Sequence, residues 1–168
     1  GQRVMLRAGL KRLEILEDQF GTVDPQKKPK MMVICEDTQV TTFVEEFLVG
    51  ENLTPDEVLR IDSNKKGEVS ANQWEPIREK LFNIDSYAAP KVVVSVLMLR
   101  EGFDVSNICV VVPLRSSSAG ILLEQTVGRG LRIMWRGDNA IDDLKRETRS
   151  LIAHGHEPKN FFDVLFIV

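Results

Sequence analysis

The chain has 168 residues, 43% of them hydrophobic, which is enough for one compact domain with a substantial buried core. Its formal net charge of −3 argues against a stand-alone nucleic-acid-binding protein with a broad basic surface, so any contact with DNA or RNA must be local. No apolar run reaches the ~18 residues of a membrane span and no signal-like leader begins the chain, which predicts a cytoplasmic protein without membrane contact.

The first half of the chain predicts helices that alternate with buried strands. Residues 1–28 are expected to form a packing helix and a linker, because apolar side chains recur near helical spacing: Leu6, Leu10, Leu13 and Phe20. The predicted elements that follow are a strand at 31–35, a helix capped by Asp37 or Thr38, a strand at 58–61 and a helix at about 74–82. The last of these helices is expected to turn four apolar side chains inward: Trp74, Ile77, Leu81 and Phe82.

Two apolar, β-branched runs in the second half predict strands that are buried on both faces. The first lies within residues 91–105 and the second at 108–113, and such runs are typical of a parallel sheet covered by helices. A charged amphipathic helix is predicted over 138–153 and a last strand over 161–168. Together these elements predict an α/β fold, a three-layer α/β/α domain with a mainly parallel sheet.

Residues 125–132 carry most of the functional information. Read as a helix, this segment places Gln125, Arg129 and Arg132 on one face. Gly128 disfavours such a helix by roughly 1 kcal/mol relative to Ala, so its position beside the arginines indicates that something approaches the backbone closely. A triphosphate fits, because planar guanidinium groups suit the charge of a phosphoryl group in transfer. Taken alone, however, the pattern favours a surface helix with solvated arginines.

The neighbouring sequence reverses that preference. Residues 100–104 follow the first of the two buried runs, and residues 114–118 follow the second. Ligands bind beyond the carboxyl ends of the strands in parallel sheets. These two polar segments and the helix at 125–132 should therefore converge on one edge of the sheet.

This order of elements resembles the second RecA-like domain of superfamily 2 helicases. Glu101-Gly102-Phe103-Asp104 is similar to motif V of that family, and the pattern Gln125-x-x-Gly128-Arg129-x-x-Arg132 is similar to its motif VI. More narrowly, residues 30–135 resemble the helicase part of type III restriction enzyme Res subunits and their DEAD/DEAH-box relatives. The resemblance assigns residues 29–168 to a second RecA-like domain that belongs to a larger protein.

The resemblance implies that ATP and Mg²⁺ lie in a cleft between two RecA-like domains. Arg129 and Arg132 are then expected to reach the γ-phosphate, while Gln125 orients phosphate or water. Four further residues are expected at the nucleotide: Glu101, Gly102, Asp104 and Gly128. Contacts to the nucleic-acid backbone are expected from Thr38, Ser63, Asn64, Lys65, Ser95 and Arg100.

The chain has no G-x-x-x-x-G-K-[ST] phosphate cradle and no Asp-Glu pair at a strand end that would hold Mg²⁺. The resemblance places those parts on the first RecA-like domain of the same protein, so the isolated fragment is expected to be inactive. DNA is the expected nucleic acid rather than RNA. A nuclease activity of the parent protein and a methyltransferase partner are left open.

Two alternative functions belong to other classes than an ATP-driven motor. One is a non-catalytic, nucleotide-dependent interaction domain whose arginines hold a ligand without turnover. A Rossmann-type enzyme is a weaker alternative, since no glycine-rich turn joins a strand to a helix. No metal site is predicted, because the histidines have no ligand partners at metal spacing, and Cys35 and Cys109 are expected to be buried free thiols. The charged segment 137–159 has no assigned function.

Overall fold

Five strands form one sheet in the order β2-β3-β1-β4-β5, and every neighbouring pair is parallel. The computed structural model describes residues 1–62, 70–82, 84–96, 108–114, 135, 138–162 and 164–168. The strands are β1 (Lys30–Cys35), β2 (Val58–Ile61), β3 (Val92–Val96), β4 (Ile108–Leu114) and β5 (Phe166–Ile167). The described helices are α1 (Gln2–Val23), α2 (Thr38–Gly50), α3 (Ala71–Leu81) and α4 (Asn139–Ala153).

Side-chain alternation along the strands divides the core into two apolar layers. In β1, Met31 and Val33 face the layer that contains α1 and α2, whereas Met32 and Ile34 face the layer that contains α3. The central strands are buried on both faces because helices cover both, as expected for a parallel sheet. The fold is therefore a three-layer α/β/α domain, which confirms the predicted fold class.

Helix α1 packs directly on the sheet and belongs to the same core as the strands. Its buried side chains recur every three or four residues: Leu6, Leu13, Leu16 and Phe20. At Gly9 the helix comes so close to the sheet that an added Cβ would lie 2.6 Å from Val112 Cγ2 and 2.9 Å from Met31 Sδ. Glycine at this position is what allows the close approach between the helix and the two strands.

Aspartate side chains cap the N-termini of two helices, and the sequence predicted the first of these caps. Asp37 caps α2, since its side chain accepts a hydrogen bond of 2.9 Å from the Val40 amide. Asp138 caps α4 by accepting from the Ala140 and Ile141 amides. Helix α4 is the charged amphipathic helix that the sequence predicted.

Two expectations about apolar residues are wrong. Phe82 does not turn inward but is 73% exposed, because α3 ends at Leu81 and the Phe82 backbone is extended. The last strand covers only Phe166–Ile167 rather than 161–168. Upstream of it, the amides of Phe161 and Phe162 donate to the side chains of Gln19 and Asn160, so they are not available to a sheet. Phe162 instead stacks on Phe20 with ring centroids 4.3 Å apart.

No described helix combines the length and the apolar character that a bilayer-spanning helix requires.

Candidate functional site

The connections of the sheet diverge between β1 and β4. The chain leaves β1 toward β2 on one side of the sheet, and it leaves β4 toward β5 on the other side. In open parallel sheets, the crevice at such a switch point, beyond the carboxyl ends of the strands, is where ligands bind. On the β1 side this crevice is bounded by Glu36, Asp37 and Thr38. We take this edge of the sheet as the candidate functional site and call it the carboxyl edge.

The first turn of α2 lies at the carboxyl edge and exposes Thr38. The Thr38 carbonyl accepts from the Thr42 hydroxyl at 2.9 Å, and Thr41 Oγ1 lies at the same distance from this carbonyl. The Thr38 side chain is exposed to solvent. This residue is therefore placed where a ligand phosphate or a nucleic-acid backbone can reach it. A helix N-terminus favours anions, although the Asp37 carboxylate already occupies the Val40 amide.

Asp62 ties the end of β2 to α2. Its Oδ1 accepts a 2.7 Å hydrogen bond from Thr41 Oγ1, and its Oδ2 lies 3.2 Å from Arg60 Nε. Arg60 Nη1 in turn lies 3.1 Å from Glu45 Oε1. Thr41 is buried and was not predicted as a site residue. Its partner lies 21 residues away in sequence, which leaves no local pattern by which it could be found.

Ser95 lies near the carboxyl end of β3 and is only 1% exposed. In register it stands between Ile34 and Ile61, on the sheet face that α3 covers. Within the described ranges its hydroxyl has no hydrogen-bond partner, which is costly for a buried polar group. The hydroxyl is thus inside the domain, whereas the resemblance implies a contact with a nucleic-acid phosphate.

The described part of the carboxyl edge is negatively charged. Burial raises the pKa of the Cys35 thiol to about 12, and the nearby carboxylates of Asp37 and Asp62 raise it further in the same direction. The thiol is therefore neutral and is not a nucleophile at pH 7. Cys35 and Cys109 are both buried free cysteines, which confirms the prediction for these two residues.

This negative charge limits what the carboxyl edge can bind. The ion pairs of this edge involve one described cation, Arg60, and its guanidinium already contacts Glu45 and Asp62. A triphosphate at this edge therefore needs cations from other parts of the chain. In the portion of the chain that the structure describes, no group of three or more His, Cys, Asp or Glu side chains is placed to hold a metal ion.

Most of the predicted site residues lie outside the described residues. They are Ser63, Asn64, Lys65, Arg100, Glu101, Gly102, Asp104, Gln125, Gly128, Arg129 and Arg132. The topology does fix where the two segments that contain the last eight of these residues begin. Strands β3 and β4 flank β1, run parallel to it and end at Val96 and Leu114. Both segments therefore leave the sheet from the carboxyl edge.

No protein-family model matches the chain, and no curated protein matches its sequence.

Proposed function

We propose that this chain is the second RecA-like domain of an ATP-dependent nucleic-acid helicase or translocase. In this proposal the protein is similar to superfamily 2 helicases and most like the Res subunits of type III restriction enzymes. The supporting observation is the strand order. It brings the ends of β3 and β4, from which the next chain segments begin, to the two sides of β1 at the same edge of the sheet. Those segments contain the two helicase-like motifs, at 101–104 and 125–132.

The charges of the described residues explain why the arginines are needed. Asp37 and Asp62 make the carboxyl edge negative, and Arg60 is already paired. Arg129 and Arg132 follow β4 in the chain and carry the positive charge that a γ-phosphate requires. We propose that they act as arginine fingers, which stabilise the charge that develops during phosphoryl transfer.

The remaining parts of the proposed site belong to a first RecA-like domain of the same protein. That domain supplies the phosphate cradle and the Mg²⁺ ligands, which this sequence lacks. Gln125 orients phosphate or water, and Glu101, Gly102, Asp104 and Gly128 approach the nucleotide. Closure of the two domains on ATP and their opening after hydrolysis move one domain along the strand relative to the other.

Contact with nucleic acid is proposed to be local and directed at the backbone. Thr38 is exposed at the first turn of α2, and the proposal adds Ser63, Asn64, Lys65 and Arg100. Ser95 can join them only after its buried surroundings open. Because phosphate contacts carry no sequence information, binding is expected to be indifferent to sequence and sensitive to salt. DNA is the proposed substrate, and a cytoplasmic location is proposed with it.

The proposal is tested by arginine substitutions in the parent protein. Arg129→Ala and Arg132→Ala should each reduce kcat for ATP hydrolysis by roughly 10³-fold or more, with a much smaller change in ATP affinity. Arg78→Ala is the matched control, because Arg78 is an exposed arginine of α3 to which the proposal assigns no role. Phosphate release measures kcat, and titration with a fluorescent ATP analogue measures affinity.

Two outcomes separate the competing accounts. Full ATPase activity in both alanine variants contradicts the finger role of the arginines. ATP binding by the unmodified parent protein without measurable turnover favours the non-catalytic interaction domain. The melting temperature of the 168-residue chain should stay nearly unchanged in Arg129→Ala, so that lost activity can be separated from lost folding.

A further inference from the structure

An open pocket of about 190 Å³ lies at the edge of the sheet opposite the candidate functional site. It is bordered by the end of α1, by the chain that leads into β1 and by the residues just before β3. The lining includes four lysines but only one acidic residue: Lys27, Lys28, Lys30 and Lys91, with Glu17. The proposed function makes no use of this pocket.

Two of the lysines are neutralised by carboxylates. Lys91 Nζ lies 3.2 Å from Glu17 Oε2 and 3.3 Å from Glu57 Oε2. Lys27 Nζ lies 3.0 Å from Asp138 Oδ2. Lys27 Nζ also lies 3.8 Å from Asp24 Oδ2, so each of these two lysines contacts two carboxylates.

Lys28 and Lys30 have no carboxylate within 4.0 Å among the residues that the structure describes. The ammonium of Lys30 is buried and donates to the carbonyls of Tyr87 and Pro90, the second at 2.8 Å. Lys28 is half-buried, and its ammonium donates to the Pro25 carbonyl at 3.4 Å, which is a weak hydrogen bond. Among the described residues, Lys28 and Lys30 are thus the two lysines of this pocket that have no direct carboxylate contact.

The pKa of Lys30 also indicates that positive charges lie close together at this pocket. Burial lowers its pKa to about 8, and repulsion by the nearby Lys28 and Lys91 adds to this effect. Glu17 and Asp85 oppose the shift without cancelling it. An anion in the pocket would relieve the repulsion among these ammonium groups.

We propose that the pocket binds a small, multiply charged phosphate-type anion. Lys28 is the direct ligand, and the buried Lys30 contributes positive charge from beneath the surface. The volume of about 190 Å³ leaves room for a small anion such as inorganic phosphate or pyrophosphate. This proposal is independent of the proposed ATPase function, because it concerns the opposite edge of the sheet.

Isothermal titration calorimetry of the chain with pyrophosphate tests the proposal, with the ionic strength held constant. Saturable binding with one site is expected, and Lys28→Gln should weaken it about tenfold through loss of a charge-assisted hydrogen bond. Lys80→Gln removes an exposed lysine of α3 and should leave the affinity unchanged. Inorganic phosphate in a second titration shows whether one phosphoryl group is enough.

A second variant blocks the pocket without changing its charge. Gly21 lines the pocket, and no described atom lies within 4 Å of the position that its Cβ would take, so Gly21→Leu can extend into the space. This variant should also lose at least tenfold in affinity. The proposal is overturned if no saturable binding occurs, or if Lys28→Gln and Gly21→Leu bind pyrophosphate as tightly as Lys80→Gln does.

Discussion

Alanine at Gly9 and at Gly21 should have opposite effects on stability, although both glycines lie in α1. A Cβ at Gly9 would lie 2.6 Å from Val112 Cγ2, which is much shorter than the ordinary contact distance of 3.4–4 Å. Val112 is β-branched and lies in the buried strand β4, so its side chain has little freedom to move away. No described atom lies within 4 Å of the corresponding position at Gly21.

The size of the effect follows from two opposing contributions. Alanine gains up to about 1 kcal/mol over glycine in a helix, and this gain is common to both sites. Overpacking at Gly9 costs typically 1–3 kcal/mol, so Gly9→Ala should be less stable than Gly21→Ala by about that amount. For a chain of this length, the difference corresponds to roughly 2–12 °C in Tm. Urea denaturation and thermal unfolding followed by circular dichroism measure it.

A double substitution identifies the source of the strain. If Val112 is the neighbour that resists, then Gly9→Ala should cost much less in a Val112→Ala background than in the wild type. Equal stability of Gly9→Ala and Gly21→Ala would refute the close packing of α1 on β4.

Two further predictions concern buried titratable groups. The pKa of Lys30 is about 8 in the folded chain against 10.5 for an ordinary lysine, so above pH 8 the unfolded chain binds more protons. Urea titrations should therefore show that the wild type gains stability relative to Lys30→Met as the pH rises. The gain should be on the order of 3 kcal/mol between pH 8 and pH 10.5. A stability difference that does not change with pH would contradict the lowered pKa. Both buried cysteines, Cys35 and Cys109, have a pKa raised to about 12 by burial. Iodoacetamide at pH 8 should label them far more slowly in the native protein than in urea, and rapid native labelling of either would contradict their burial.

Strands β1 to β4 could be predicted to within a few residues at their described ends. Each is a mainly apolar run, interrupted by Arg60 in β2 and by Ser95 in β3, and burial on both faces makes such a run distinct from an amphipathic helix. The same pattern carried a further signal about Ser95. A polar residue inside a run that is buried on both faces is itself expected to be buried, and Ser95 is.

The predictions that failed concern the end of α3 and the start of β5. Phe82 continues the apolar stripe of α3 in sequence, but the helix stops one residue earlier. Phe161 and Phe162 are typical strand residues, yet the side chains of Gln19 and Asn160 accept hydrogen bonds from their amides. The contact of Phe161 with Gln19 spans 142 residues and could not be found from the local sequence, whereas Asn160 lies two residues from Phe162.

The candidate site was predictable only where its contacts are local. The Asp37 cap involves a residue three positions away, and its helix start was predicted. The bond between Thr41 and Asp62 spans 21 residues. Long-range pairs of this kind arise from the strand order, which the sequence pattern did not specify.

Single-turnover phosphate release by the parent protein carrying Arg129→Lys tests the central claim most directly. Lysine keeps the positive charge but not the planar, forked guanidinium that a finger uses on a phosphoryl group in transfer. The account predicts a rate at least roughly 100-fold below wild type, with ATP affinity within a few-fold of the wild-type value. A rate within a few-fold of wild type would show that positive charge alone suffices at this position, and it would contradict the assignment of Arg129 as an arginine finger.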